Sequence, residues 1–153
     1  MGSGPVLTVY LDSSFLVSLY SRDGNSALAI ETMAASSGEL VVSSWAELET
    51  VNALELRVFR KEVSAADAAA SLAIFHKNAS EGAFQLRALP EGVFKRGLQL
   101  ARQTTARLGT RSADLLHVAA ALEMGADYLY SFDRQQRKLA RAVRLKVNRA
   151  PAA

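Results

Sequence analysis

The chain has 153 residues, of which 50% are hydrophobic, and it contains no cysteine. This composition is sufficient for one domain with a hydrophobic core, and it excludes disulfides, thiolate metal sites and cysteine nucleophiles. No apolar run reaches the roughly 18 residues of a membrane span, and the start lacks the pattern of a signal peptide, so we expect a soluble cytoplasmic protein.

The net charge of +3 is unevenly distributed along the chain. Residues 1–86 carry 5 Lys/Arg and 10 Asp/Glu, whereas residues 87–153 carry 13 and 5. From Arg134 onward there are seven basic residues and no acidic one. Such a block can attract a polyanion through counterion release, although a solvated basic helix face would have the same sequence.

The predicted elements alternate between short apolar runs and segments with helical spacing and capping residues. We expect one domain over 1–153, in which 1–5 are a vector remnant or disordered and 149–153 are a tail. In chain order the elements are strand 6–11, helices 13–20 and 25–35, strand 39–43, helices 45–60 and 64–78, strand 84–89, helices 90–108 and 112–124, strand 128–132, helix 134–142 and strand 144–147.

The alternation of strands with helices indicates parallel strands that are joined by helical crossovers. No hairpin turn of the Asn-Gly type separates the predicted strands. The predicted fold class is therefore α/β, with three layers and a mainly parallel central sheet of about five strands.

Acidic residues occur where several predicted strands end, which is the edge at which parallel sheets bind ligands. Asp12 follows the first strand, Glu47 and Glu49 lie in the helix after the second, Asp114 opens a buried helix, and Asp133 follows the fourth strand. Carboxylates gathered there would repel one another unless a cation compensates. Oxygen ligands without cysteine favour Mg²⁺ or Mn²⁺.

Each acidic residue also has a structural interpretation. Asp12, Asp114 and Asp133 could simply stabilise helix amino termini. Positions 47 and 49 project about 200° apart on a helix, so only one glutamate can face the site. His117 lies one turn after Asp114 and could touch the site, but packing within the buried helix is the simpler explanation.

Four motifs occur in a fixed order: Tyr-Leu-Asp12-Ser-Ser-Phe-Leu-Val, Glu49-Thr-Val-Asn-Ala-Leu, Arg111-Ser-Ala-Asp114-Leu-Leu-His and Ser131-Phe-Asp133. Together they resemble PIN-domain proteins, in particular the VapC-type ribonuclease toxins of bacterial toxin–antitoxin pairs. The resemblance covers about residues 6–148 and selects Glu49 over Glu47. It implies an acidic site of Asp12, Glu49, Asp114 and Asp133, supported by Ser13 and Ser131.

The resemblance implies a metal-dependent endoribonuclease, a homodimer and a small antitoxin partner. Asp12 and Asp114 are the expected direct ligands of Mg²⁺ or Mn²⁺, with Glu49 and Asp133 bound directly or through water. We expect four basic residues to hold the RNA backbone: Arg111, Arg134, Arg137 and Lys138.

Three alternatives remain open from the sequence. A catalytically silent PIN domain could serve as an RNA- or protein-binding module. A phosphatase of the haloacid-dehalogenase type also has Asp after its first strand, but it needs a second Asp where this chain has Ser14. A receiver-type signalling module would need an adjacent acidic pair near the first strand, which is absent.

Overall fold

The centre of the structure, a computed structural model that describes residues 4–150, is a parallel sheet of five strands in the order β3-β2-β1-β4-β5. Every strand pair is parallel. The predicted α/β class with a parallel central sheet is therefore confirmed. The strands are β1 (Thr8–Leu11), β2 (Glu39–Ser43), β3 (Gln85–Arg87), β4 (Tyr128–Tyr130) and β5 (Lys146–Val147).

Helices connect the strands at the positions that the sequence predicts, with differences at some ends. The sequence predicts one helix over 90–108, but the helix begins at Val93 and is interrupted by a π-helical segment, Ala101–Thr105. In this segment Thr104 Oγ1 donates to the Leu100 carbonyl at 2.7 Å. The helices are α1 (Ser13–Tyr20), α2 (Ser26–Ala35), α3 (Ser44–Phe59), α4 (Ala65–Ser80), α5 (Val93–Leu100), α6 (Ala106–Leu108), α7 (Ser112–Glu123) and α8 (Arg134–Ala142).

The helices cover both faces of the sheet, because side chains of a buried parallel strand alternate between two apolar layers. On one face, Tyr10, Val41 and Leu129 pack against α5, α7 and α8. On the other face, Leu11 and Val42 pack with residues from α1, α2, α3 and α4. The predicted three-layer arrangement is thus confirmed, with one hydrophobic core on each side of the sheet.

Strand order reverses at β1, whose neighbours β2 and β4 lead the chain to opposite edges. In parallel sheets, the crevice outside the carboxyl ends of the strands at such a reversal is the usual ligand site. β1 and β4 both end there, and the Asp12 amide donates to the Tyr130 carbonyl at 3.1 Å. The topology therefore brings the residues that follow β1 and β4 together.

The predicted amino-terminal remnant and the predicted tail lie partly outside the described residues 4–150, and Gly4–Leu7 and 148–150 contain neither helix nor strand. Within the described part of the chain, no helix has the length and apolar character needed to cross a membrane.

Candidate active site

The four predicted acidic side chains line one cleft of about 180 Å³ at the carboxyl edge of the sheet. Asp12 joins β1 to α1, Glu49 lies on α3, Asp114 lies in the first turn of α7, and Asp133 joins β4 to α8. Four distant segments thus contribute one carboxylate each. Ser13, Arg111, His117 and Gln136 also line this cleft, which we call the acidic cleft.

Asp12 is almost completely buried, at 1% exposure. It is the N-cap of α1, as its structural interpretation from the sequence allows: Asp12 Oδ1 accepts from the Phe15 amide and from Ser14 Oγ, both at 2.8 Å. Gln136 Nε2 donates to Asp12 Oδ2 at 2.6 Å. Burial raises the pKa of Asp12 above its usual range, and the nearby His117 opposes this shift.

Arg111 bridges two of the carboxylates. Its backbone amide donates to Asp114 Oδ2 at 3.1 Å, which places Arg111 rather than Ser112 at the cap of α7. Its guanidinium lies 3.3 Å from Asp114 Oδ2 and 2.9 Å from Asp133 Oδ2. Asp114 is buried at 2% exposure, whereas the Arg111 side chain is 65% exposed. An exposed cation therefore balances two carboxylates of the cleft.

Glu49 lines the acidic cleft, whereas Glu47 lies outside it, 3.4 Å from His76 Nε2. Glu49 Oε1 contacts His117 Nε2 and accepts from Ser13 Oγ at 2.9 Å. Burial acts to raise the pKa of Glu49, but the hydrogen bond and charge of His117, with Ser13 and Arg111, lower it overall. The structure thus holds Glu49 as a carboxylate that faces the cleft.

His117 connects Glu49 to the sheet, although the sequence interpretation favoured a simple packing role for it. Its Nδ1 lies 2.8 Å from the Tyr10 hydroxyl, which in turn lies 2.7 Å from Ser43 Oγ. Asp114 and His117 are three residues apart on α7, and this spacing is the signal in the sequence that places both on one helix face. The partners Tyr10 and Ser43 come from distant strands and carry no such signal.

Tyr10→Phe is expected to lower the free energy of unfolding by about 1–2 kcal/mol, because the buried His117 Nδ1 loses its hydrogen-bond partner. Urea denaturation followed by circular dichroism measures this change. Tyr20→Phe is a matched control, because the hydroxyl of Tyr20 is only partly buried. An equal effect of the two substitutions would contradict the importance of the buried bond to His117.

The predicted RNA-binding residues occupy different environments. Arg134 and Lys138 are exposed on α8, and Arg111 lies in the acidic cleft. Arg137 is buried at 7% exposure, and its Nη1 donates to the Ser131 carbonyl at 3.1 Å and to Asn148 Oδ1 at 3.0 Å. The structure therefore places Arg137 inside the protein, away from a polyanion at the surface.

The carboxylate and hydroxyl oxygens that line the acidic cleft are the ligands that a hard divalent cation prefers. In residues 4–150, however, no three Asp, Glu or His side chains are grouped so that they could hold one metal ion. The space between Asp114 and Asp133 contains the Arg111 guanidinium. Metal binding by both carboxylates would therefore require this exposed side chain to turn aside.

Several solved structures share this fold. VapC20 of Mycobacterium tuberculosis, described as a toxin that cleaves the sarcin-ricin loop, has a TM-score of 0.69 and 18% identity, with 92% of this chain and 99% of that chain covered. VapBC2 of Rickettsia felis, solved with a DNA fragment from its promoter, has a TM-score of 0.66 and 16% identity. The alignment covers 95% of this chain and 100% of that chain. PAE2754 of Pyrobaculum aerophilum has a TM-score of 0.62 and 18% identity. The alignment covers 92% of this chain and 83% of that chain.

No curated protein sequence matches the chain significantly. The model of the PIN domain family matches residues 9–142, which include all four carboxylates of the acidic cleft, the strands β2, β3 and β4, and all of β1 except Thr8. The match extends over most of the chain and agrees with the structural similarity to the VapC proteins. The chain therefore belongs to the PIN domain family.

Proposed function

We propose that the protein is a metal-dependent endoribonuclease that hydrolyses RNA phosphodiester bonds and acts as the toxin of a type II toxin–antitoxin pair. One observation carries this proposal: four carboxylates from four distant segments line a single cleft at the strand-order reversal of a PIN domain. A concentration of negative charge at such a site is costly unless it binds a cation or performs chemistry.

In this proposal Asp12 and Asp114 bind Mg²⁺ or Mn²⁺ directly, and Glu49 and Asp133 bind it directly or through water. A divalent ion bound there supplies Lewis-acid stabilisation of the charge that develops on the scissile phosphate. The Glu49 carboxylate is held in the cleft by His117 and Ser13.

The proposed substrate and partners are supported by the chemistry of the surface and by the structural relatives. Exposed Arg134 and Lys138 extend from the acidic cleft along α8 and are proposed to hold the RNA backbone. The structural relatives include VapBC2 and FitAcB of Neisseria gonorrhoeae. FitAcB has a TM-score of 0.63 and 14% identity, and the alignment covers 92% of this chain and 96% of that chain. We infer an antitoxin partner by analogy with these proteins. A homodimeric toxin in the cytoplasm, where RNA is available, is proposed from the resemblance of the sequence to VapC-type toxins.

The proposal is tested by incubating purified protein with total cellular RNA and Mg²⁺ or Mn²⁺, and by mapping new 5′ ends by sequencing. We expect cleavage at a restricted set of sites, inhibition by EDTA and recovery when excess metal is added. Cleavage that persists in EDTA would contradict the metal dependence. If neither metal supports cleavage by folded protein, the nuclease proposal is wrong.

One observation favours a second candidate, a PIN domain that binds RNA or protein without cutting. Arg111 and Gln136 donate hydrogen bonds to Asp12, Asp114 and Asp133, so these carboxylates already have partners within the protein. RNA binding without cleavage in the same experiment would support this candidate. The phosphatase alternative is weaker, because Ser14, which stands where a second Asp is needed, donates to Asp12 instead.

A further inference from the structure

A second cleft, of about 420 Å³, adjoins the acidic cleft and shares Ser13, Ser14 and Asp133 with it. We call it the side cleft. Its walls come from α1, the end of α3 and the segment that follows β4. Because the two clefts share residues, a chain molecule that has one group in the acidic cleft can place the next group in the side cleft.

One wall of the side cleft is basic. Arg57 and Arg60 lie near the end of α3 and both line the cleft. The Arg57 guanidinium is fixed by Ser21 Oγ at 2.9 Å and by Asp23 Oδ2 at 3.1 Å, so the one carboxylate in this part of the cleft is already paired. Arg60 is exposed, and within residues 4–150 it forms no ion pair. Arg60 therefore provides an available positive charge.

The side cleft also contains an aromatic surface. Phe132 lines it, and its ring stacks on the ring of Phe15, with ring centroids 5.3 Å apart and an interplanar angle of 19°. The Ser14 hydroxyl accepts from the Phe132 amide at 2.9 Å, which fixes the backbone of this residue. Phe132 is thus held rigidly and is partly exposed.

We propose that the side cleft binds one nucleotide of single-stranded RNA adjacent to the scissile phosphate, with its base stacked on Phe132 and its phosphate near Arg60. This inference rests on the proposed ribonuclease function and identifies a subsite for it. An aromatic ring combined with guanidinium groups and hydroxyls is the usual composition of single-strand binding sites. The sequence interpretation located the RNA contacts on α8 and at Arg111, and so did not include this wall.

The test is a fluorescence-anisotropy titration of a labelled single-stranded RNA of roughly twelve nucleotides, in Ca²⁺ so that the RNA is not consumed. Arg60→Ala is expected to weaken binding about fivefold and to reduce the slope of log Kd against log salt by about 0.7. Phe132→Leu preserves an apolar contact with Phe15 and is expected to weaken binding about tenfold with an unchanged slope. Phe132→Leu should leave binding of the same RNA as a duplex unchanged, because the bases of a duplex are already stacked on one another.

Arg96→Ala is the control, because it removes the same charge beside Glu123, at the opposite end of α7 from Asp114. It should bind single-stranded RNA like the wild type. If both cleft variants retain melting temperature and wild-type RNA affinity, the subsite is refuted, and the side cleft is left to a protein partner. Wild-type protein that neither binds nor cuts RNA would instead refute the proposed function itself.

Discussion

Asp12→Asn and Asp114→Asn are each expected to reduce RNA cleavage by at least about a hundredfold to a thousandfold, because each removes a charge that is proposed to bind the metal at the reacting phosphate. The initial rate of cleavage of a fluorescent RNA substrate in Mg²⁺ measures the effect. Calorimetric titration with Mn²⁺ provides a readout that does not depend on turnover, and it should show weaker binding in both variants.

The loss of activity is expected without a loss of stability in Asp12→Asn. Folding raises the pKa of Asp12, so its carboxyl group binds a proton more tightly in the folded state than in the unfolded state. The ionised form of Asp12 therefore lowers the stability of the fold once the pH rises above the pKa of the unfolded state. An amide does not ionise, Asn caps a helix as well as Asp does, and the Gln136 amide, which now donates to Oδ2, can turn so that its oxygen accepts from the new amide. The melting temperature at neutral pH should therefore equal or exceed that of the wild type.

Asp67→Asn is the matched control for these variants, since Asp67 is exposed at the start of α4 and does not line the acidic cleft. It should cut RNA at the wild-type rate. Cleavage by Asp12→Asn and Asp114→Asn at that same rate would show that the acidic cleft is not the active site. The central functional proposal would then be wrong even if the protein cuts RNA.

Arg137→Met is expected to lower the free energy of unfolding by about 2–4 kcal/mol, because it leaves buried acceptors without a charged donor. The Ser131 carbonyl and Asn148 Oδ1 lose the guanidinium that now joins them. Met retains much of the side-chain volume, so the change reports mainly on the lost hydrogen bonds. Urea denaturation measures it.

Lys138→Ala, at the next position of α8, is the natural comparison because Lys138 is exposed. The free energy of unfolding of this variant should change by less than about 0.5 kcal/mol. Its affinity for RNA should be lower than that of the wild type, and the affinity should depend less steeply on salt concentration. A similar loss of stability in the two variants would contradict the different environments of these neighbouring basic residues.

The sequence predicted the fold well where the signal was local. The strand Glu39–Ser43 and the helix Arg134–Ala142 have the predicted bounds, because their apolar patterns and flanking polar residues are distinct. The strand predicted over 84–89 is shorter, since Gln85–Arg87 is an edge strand that pairs only with β2. The length of an edge strand depends on its partner, which is not encoded in the strand itself.

The acidic cleft was predictable for a related reason, because Asp12 and Asp133 directly follow strands that end at one edge of a parallel sheet. The groups that hold these carboxylates were not predictable in the same way. Gln136 donates to Asp12 across 124 residues of sequence, and Tyr10 reaches His117 across 107. Within α8, only the three-dimensional packing distinguishes buried Arg137 from exposed Lys138.

Asn148 anchors the segment that follows β4, so this segment depends on a residue near the carboxyl end of the described chain. Asn148 Oδ1 accepts from both the Ser131 amide, at 2.8 Å, and Arg137, yet it lies beyond residues 9–142 that the PIN model matches. A proteolytic fragment that ended before Asn148 would retain all four carboxylates and the whole matched region. It would nevertheless lose the group that ties the backbone before Asp133 to the body of the protein, and an alignment of the acidic residues alone would score it as intact.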